Sequence, residues 1–136
     1  LIPFGKGKIL REGSDCTVVG IAGANTHALN AATELEKEGI SVEIIDPRTL
    51  VPLDKEIILN SVEKTGRLVV VDPAHKVCSA ASEIISVVTE EGFWNLQAPP
   101  VKIAAEQVHI PFTPALEPLI FPDAEKIINA VKQTIE

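Results

Sequence analysis

Hydrophobic positions follow two patterns that alternate along the chain: short continuous apolar runs, and longer stretches with an apolar residue every third or fourth place. Residues 16–22 form the first run, between Asp15 and Gly23, and their β-branched content predicts a strand. Ala28, Ala31, Ala32 and Leu35 then fall at i, i+3, i+4 and i+7, one face of a helix. Asn25 or Thr26 is placed to cap its first turn, and Gly39 to supply a left-handed residue after its last. The cycle repeats. Residues 42–45 read as a second strand ending at Asp46-Pro47, and Asp54 as the cap of a helix that carries Ile57, Ile58 and Val62 and closes near Gly66. Residues 68–71 read as a third strand ended by Asp72-Pro73. Ser79 or Ser82 opens the next helix, with Ile84, Ile85 and Val88 inward and Gly92 as its stop, and residues 101–104 form a shorter strand.

The stretch 107–122 breaks this rhythm. Pro111, Pro114, Pro118 and Pro122 argue against a helix or a central strand, so it is expected to run extended over the surface. Asp123 then caps a last helix with Ile127, Ile128 and Val131 inward. Residues 1–15 are expected to be a linker or edge strand around Ile9-Leu10, and residues 16–136 a single domain. Strands with so little alternation are buried on both faces. Alternating strands and helices build a parallel sheet with right-handed crossovers. The expected fold class is therefore α/β, a three-layer αβα arrangement around a mostly parallel sheet of about five strands.

Composition narrows the function more than the fold. A chain of 136 residues with 46% hydrophobic and 23% charged residues is a globular domain, not a collagen-like, low-complexity or disordered one. With 12 basic and 19 acidic residues it carries a net charge of −7, and its Lys and Arg are scattered. That argues against nucleic acid and anionic membrane surfaces as partners, while a basic protein partner is compatible. No apolar run approaches the roughly 20 residues of a membrane span. The chain begins at Leu1 and holds no Met, which reads as a piece of a larger polypeptide. Cys16 and Cys78 match no metal or redox spacing, and a reducing compartment fits them.

In sheets of this class, ligands gather at the carboxyl ends of the strands. Here those ends carry residues 23–27, 46–49 and 72–76. The turn at Gly20 to Ala24 lacks the G-x-G-x-x-G spacing of a dinucleotide site and reads as a tight strand-to-helix turn. His27, His75 and His109 form no metal-ligand pair. His75 follows a buried strand directly and is the single candidate for a catalytic role, by position alone. Neither a G-x-S-x-G elbow nor a P-loop is present. The residues singled out for the strand edge or an interface are Asp46, Arg48, Asp72, His75 and Lys76, with no set that binds a cofactor or a metal.

Residues 39–54, Gly-Ile-Ser-Val-Glu-Ile-Ile-Asp-Pro-Arg-Thr-Leu-Val-Pro-Leu-Asp, closely resemble a stretch in the C-terminal domain of transketolase-like enzymes. The resemblance is greatest to the beta subunits of the thiamine-diphosphate-dependent E1 components of 2-oxo acid dehydrogenases, of the pyruvate, branched-chain and acetoin types. It covers essentially the whole chain. Residues 2–7, 64–71, 74–76, 110–117 and 122–127 match further motifs of that domain in the same order. Two departures stand out. Residues 77–83, Val-Cys-Ser-Ala-Ala-Ser-Glu, replace a glycine-rich run, and Gln107 stands where the family often has Asp.

The resemblance implies a parent enzyme that uses thiamine diphosphate and Mg²⁺, with the activating glutamate and the metal-binding G-D-G motif on other domains. For this chain it implies assembly with an E1 alpha subunit and a second beta subunit in a heterotetramer. It also implies docking of the basic subunit-binding domain of the acyltransferase (E2), in the bacterial cytoplasm or an organelle matrix. The −7 charge would steer that encounter. Two alternatives stay open: the equivalent domain of a transketolase or deoxyxylulose-phosphate synthase, and a free-standing module that binds a small anion through Arg48, His75 and the Gly23 turn.

Overall fold

The computed structural model describes residues 1–136. Five strands, β1 (Lys8–Arg11), β2 (Cys16–Gly20), β3 (Val42–Asp46), β4 (Leu68–His75) and β5 (Val101–Ala105), form one sheet in the order β1-β3-β2-β4-β5. All neighbours are parallel except β1, which pairs antiparallel with β3 at the edge. The sheet is thus mostly parallel, as the uninterrupted apolar runs imply. Helices α1 (Ala24–Lys37) and α5 (Ala124–Ile135) cover one face, and α2 (Lys55–Thr65) and α3 (Ala80–Glu91) the other.

Each strand feeds both layers because successive side chains point to opposite faces. Val18, Ile44, Val69 and Val71 pack under α1 and α5 with Ala28, Ala31, Leu35 and Val131. Val19, Ile45, Leu68 and Val70 pack under α2 and α3 with Ile58, Val62, Ile84 and Val88. Burying each such aliphatic side chain contributes about 1.5–3 kcal/mol, which makes these two clusters the main source of stability.

The helix ends show which local signals the backbone used. Gly39 is left-handed at φ 81°, and its N–H and that of Ile40 bond back to Glu36 and Leu35, closing α1 with a Schellman motif. Asp123 accepts from Lys126 N at 2.8 Å and caps α5 as expected. The start of α1 differs. Gly23 is its N-cap, and Asn25 lies inside the first turn with its side-chain amide on Ala22 O. Asp54 precedes α2 but gives its carboxylate to Gly7 N at 2.9 Å rather than to its own helix. The N-terminal arm therefore competes successfully for that group.

Two strand and loop expectations need correction. Asp72-Pro73 does not end the third predicted strand. β4 continues to His75, with an irregularity in its pairing to β5 between Asp72 and His75. Pro73 sits in that bulge, where no ladder donor is required. The Pro-rich stretch also contains one helical turn, α4 (Glu117–Ile120). Pro118 lies within its first turn, where a missing N–H leaves no bond unmade.

Candidate functional site at the carboxyl edge of the sheet

The connection from β2 runs to β3 on one side and the connection from β4 runs to β5 on the other, so a topological switch lies between the carboxyl ends of β2 and β4. That crevice is where an open α/β sheet ordinarily takes a ligand. Here Phe121 and Pro122 line it together with Gly23, His27 and Pro73, leaving about 250 Å³. The Pro-rich segment is fastened down at this point: Lys126 Nζ donates to the carbonyls of Leu119 and Phe121, and Glu106 N to Ile120 O. The chain's own segment thus stands at the mouth a nucleotide would enter.

The end of β3 is a self-stapled turn. Asp46 accepts from Arg48 N at 3.0 Å and faces its guanidinium at 3.5 Å. Thr49 Oγ1 donates to Pro52 O at 2.8 Å, and Leu50 bridges Leu53. Arg48 is held in the left-handed region at φ 63°, a conformation that ordinarily costs a non-glycine residue about 1–2 kcal/mol. Asp46 is its only ion-pair partner, and about half of the Arg48 side chain is exposed. The two most recognisable motifs of the sequence meet here. Gly5 lies against Pro52, and Asp54 holds Gly7 and Lys6.

The end of β4 is organised by Asp72. Its carboxylate is buried and accepts from Ala74 N at 2.8 Å and Ala81 N at 3.1 Å, so it orders the loop and caps α3. Ser79, the expected cap, makes no such bond to the helix. His75 Nε2 meets Val108 O at 3.1 Å and ties β4 to the Pro-rich segment. Lys76 is exposed, and its carbonyl receives Lys102 Nζ, which also reaches Ser82. The loop that lacks glycines still bends: Cys78 takes the left-handed conformation at φ 55°.

The sequence-selected residues therefore share an edge but not a site. Arg48 lines a depression with Ile21, Ala22, Asp46, Pro47 and Leu50, His75 another with residues 107–110, and Gly23 a third. Asp72 faces inward as a cap. No group of three His, Cys, Asp or Glu converges as a metal site. With Asp72 and Asp54 committed to backbone N–H groups, the residues present do not fit Mg²⁺ or the pyrophosphate of thiamine diphosphate. Periodicity did not foretell the roof over the crevice, because the contact joins residues about a hundred positions apart.

The amino edge is built differently. Thr17 Oγ1 bonds Ser61 Oγ at 2.6 Å and Thr65 Oγ1 at 2.7 Å, all three buried. Glu43, fully buried in β3, meets Lys64, which also reaches Glu12 at 3.3 Å. Burial opposes ionisation of Glu43, yet the Lys64 ammonium prevails and holds its carboxyl below the usual range, while Glu43 in turn raises Lys64. Arg67 donates to carbonyls of Thr134, Asp15 and Thr65. Burial pushes the Cys16 thiol up to about 12, so it stays a neutral core group. Beyond this network, Phe93 and a nearly fully exposed Trp94 meet edge to face beside Leu96, Pro99 and Pro100, around an apolar groove.

No helix is long and apolar enough to cross a membrane. Among curated proteins, the chain is 40% identical over 134 residues to the acetoin:2,6-dichlorophenolindophenol oxidoreductase subunit beta of Bacillus subtilis, covering 98% of this chain and 39% of that protein. It is 42% identical over 132 residues to the pyruvate dehydrogenase E1 component subunit beta of Rhizobium meliloti, covering 97% and 29%. The chain thus spans two fifths or less of these relatives. A solved split-gene transketolase, an inactive beta4 tetramer, superposes with a TM-score of 0.83 at 30% identity over 96% of this chain and 41% of its own. A 2-oxoglutarate:ferredoxin oxidoreductase from Magnetococcus marinus shares the fold, with a TM-score of 0.64 at 16% identity. The family model for the transketolase C-terminal domain matches residues 5–127, and the chain belongs to that family.

Proposed function

We propose that this chain acts as the C-terminal domain of a beta subunit in the E1 component of a 2-oxo acid dehydrogenase, serving assembly and partner docking rather than the chemical step. What carries the reading is 42% identity across nearly the whole chain to two proteins named pyruvate dehydrogenase E1 component subunit beta. The geometry supports the division of labour. The acidic groups at the carboxyl edge hold backbone and the crevice is roofed, while large apolar side chains are presented outward at both edges. Thiamine diphosphate and Mg²⁺ would be bound by other domains of the parent, and the parent would oxidatively decarboxylate a 2-oxo acid.

In this reading the partners are an alpha subunit, a second beta subunit and the subunit-binding domain of the acyltransferase. The compartment is the bacterial cytoplasm or an organelle matrix. Asp46, Arg48, His75 and Lys76 belong to the strand-edge contact surface, with Asp72 shaping it from inside. The transketolase alternative is weaker, since the dehydrogenase-type beta subunits match at higher identity than the split-gene transketolase. The anion-module alternative fails on geometry, because Arg48, His75 and Gly23 line three separate depressions.

The test reads the coding region before Leu1 and co-expresses the encoded polypeptide with its alpha partner. We expect a pyrimidine-binding domain upstream and 2-oxo acid decarboxylation that needs added thiamine diphosphate and Mg²⁺. A polypeptide with no such domain, or a folded assembly that decarboxylates no 2-oxo acid, would overturn the reading.

A further inference from the structure

Two helices of this chain begin on an aspartate, and only one of them uses it. Asp123 stands before α5 in extended backbone, at φ −130° and ψ 176°, and its carboxylate accepts from Lys126 N at 2.8 Å. Asp54 stands before α2 at φ −77° and ψ 82°, an inverse γ-turn closed by Lys55 N on Leu53 O at 3.0 Å. Its carboxylate makes no bond to α2. The N–H groups of Glu56 and Ile57, which such a cap ordinarily satisfies, meet no acceptor in the protein.

Asp54 holds the entry arm, residues 1–7, instead. Its Oδ2 accepts from Gly7 N at 2.9 Å, and its Oδ1 faces Lys6 Nζ at 3.7 Å. Little else keeps the arm in place. None of its residues is buried, and Leu1 and Phe4 stand out into solvent. Its other polar link joins Lys6 to Glu56 at 3.8 Å, between two exposed side chains, and such pairs contribute little. The turn in the arm closes on itself, Lys6 N donating to Pro3 O. By contrast, β1 just after it is paired to β3, and its Ile9 and Leu10 pack against the two core clusters. A segment with so few buried contacts opens locally while the rest of the fold stays intact.

We propose that Asp54 is an exchangeable clamp, which holds the entry arm through Gly7 N in one state and caps α2 through Glu56 N or Ile57 N in the other. When the arm lifts, the γ-turn at Asp54 opens to the extended backbone that Asp123 already shows, and the freed carboxylate turns to its own helix. One bond from a backbone N–H to a carboxylate breaks and another of the same kind forms. The helix N-terminus then gains the negative group it lacks in the closed state. The arm therefore opens without leaving Asp54 unpaired, whereas a rigid joint would hold the arm with one side chain and cap the helix with another. In the parent beta subunit the arm would be the joint to the domain before it, and the exchange would make that joint a hinge. This last step rests on the beta-subunit reading, while the exchange itself is tested on the 136-residue chain.

The experiment combines amide hydrogen exchange with denaturant unfolding on three forms: the whole chain, the chain without residues 1–7, and Gly7→Pro. The proline removes the donor and crowds Ile57, whose Cγ2 lies 3.1 Å from where a Cβ would stand, so it detaches the arm within the intact chain. In both altered forms we expect exchange at Glu56 or Ile57 to slow by about fivefold, because loss of the arm supplies these N–H groups with an acceptor. Asp54→Ala placed in either form should restore fast exchange and lower the folding equilibrium constant by about fivefold. Exchange that stays fast once the arm is gone, or an Asp54→Ala substitution without effect in its absence, overturns the proposal. So does a chain that unfolds in both altered forms, since release of the arm is then not a local event. None of these outcomes bears on the beta-subunit reading, which is decided by its own reconstitution assay.

Discussion

The two edges of the sheet handle polar groups in opposite ways. At the amino edge the hydroxyls of Thr17, Ser61 and Thr65 bond one another, Glu43 takes Lys64, and Arg67 gathers three carbonyls. At the carboxyl edge the carboxylates of Asp46 and Asp72 hold turns in shape while Arg48, Lys76 and a row of apolar side chains face out. All three non-glycine residues with positive φ, Ala22, Arg48 and Cys78, lie in loops that follow the carboxyl ends of strands. Strained backbone persists where surrounding bonds over-determine it, and it clusters where a surface has work beyond stability. On the proposed reading, the amino edge serves folding and the carboxyl edge serves contact.

That contrast fails if substitutions at the two edges have equal effects on stability. The largest loss is expected from Gly13→Ala, because a Cβ there would stand 2.1 Å from the Val42 carbonyl carbon, and backbone must move. We expect about 3 kcal/mol in denaturant unfolding. Lys64→Ala comes next. It leaves Glu43 buried without its cation, and because Lys64 is partly exposed, water softens the penalty to about 2 kcal/mol.

The same variant reverses a pH dependence. In the native chain Glu43 is held below its ordinary value of 4.5, so its contribution is present above that pH and is lost as pH falls through the lower folded value. Without Lys64, burial is opposed only by weaker bonds such as that from Gly13 N at 3.4 Å, and the carboxyl is expected to rise. Its contribution then survives only at low pH and is lost as pH rises. Unfolding curves between pH 3 and 7 should show opposite slopes, and parallel slopes would count against the pair.

At the carboxyl edge, Asp72→Ala removes a loop bond and a helix cap at once and should cost about 1–2 kcal/mol. Hydrogen exchange should then rise at Ala74 and Ala81 before it rises in β2 or β3. The smallest effect is expected for Arg48→Gly. Relief of the left-handed conformation offsets the lost contact with Asp46, leaving stability within about 1 kcal/mol. A drop in thermal stability as large as that of Lys64→Ala would make Arg48 a folding residue and erase the contrast.

Much of this was legible from residue pattern. The i, i+3, i+4 spacing of Ala28, Ala31, Ala32 and Leu35 marks a buried helix face, and all four are buried. Gly39 and Gly66 are left-handed where their positions require. The family motifs at residues 39–54 and 110–117 pointed to the correct family. The misses share one cause. Asp54 left its helix for Gly7, Asp72 reached forward to Ala81, and Phe121 and Pro122 came to the switch-point crevice. Each depends on a group distant in sequence competing for, or filling, a place that local rules had assigned to a neighbour.

The sequence by itself determined the layers and the family. Apolar runs without alternation can be buried only on both faces, and helices that alternate with them must cover those faces. Tertiary structure decided the longer reaches at the strand ends. Asp46 and Asp72 each take an N–H two residues on, which local sequence sets, but Asp54 takes Gly7 N and Asp72 also takes Ala81 N, which only the return of the chain brings within about 3 Å. So Arg48, His75 and Gly23, alike in position along their strands, end at three separate places on one edge. The same folding brings the Pro-rich segment over the crevice and leaves its apolar side chains turned outward.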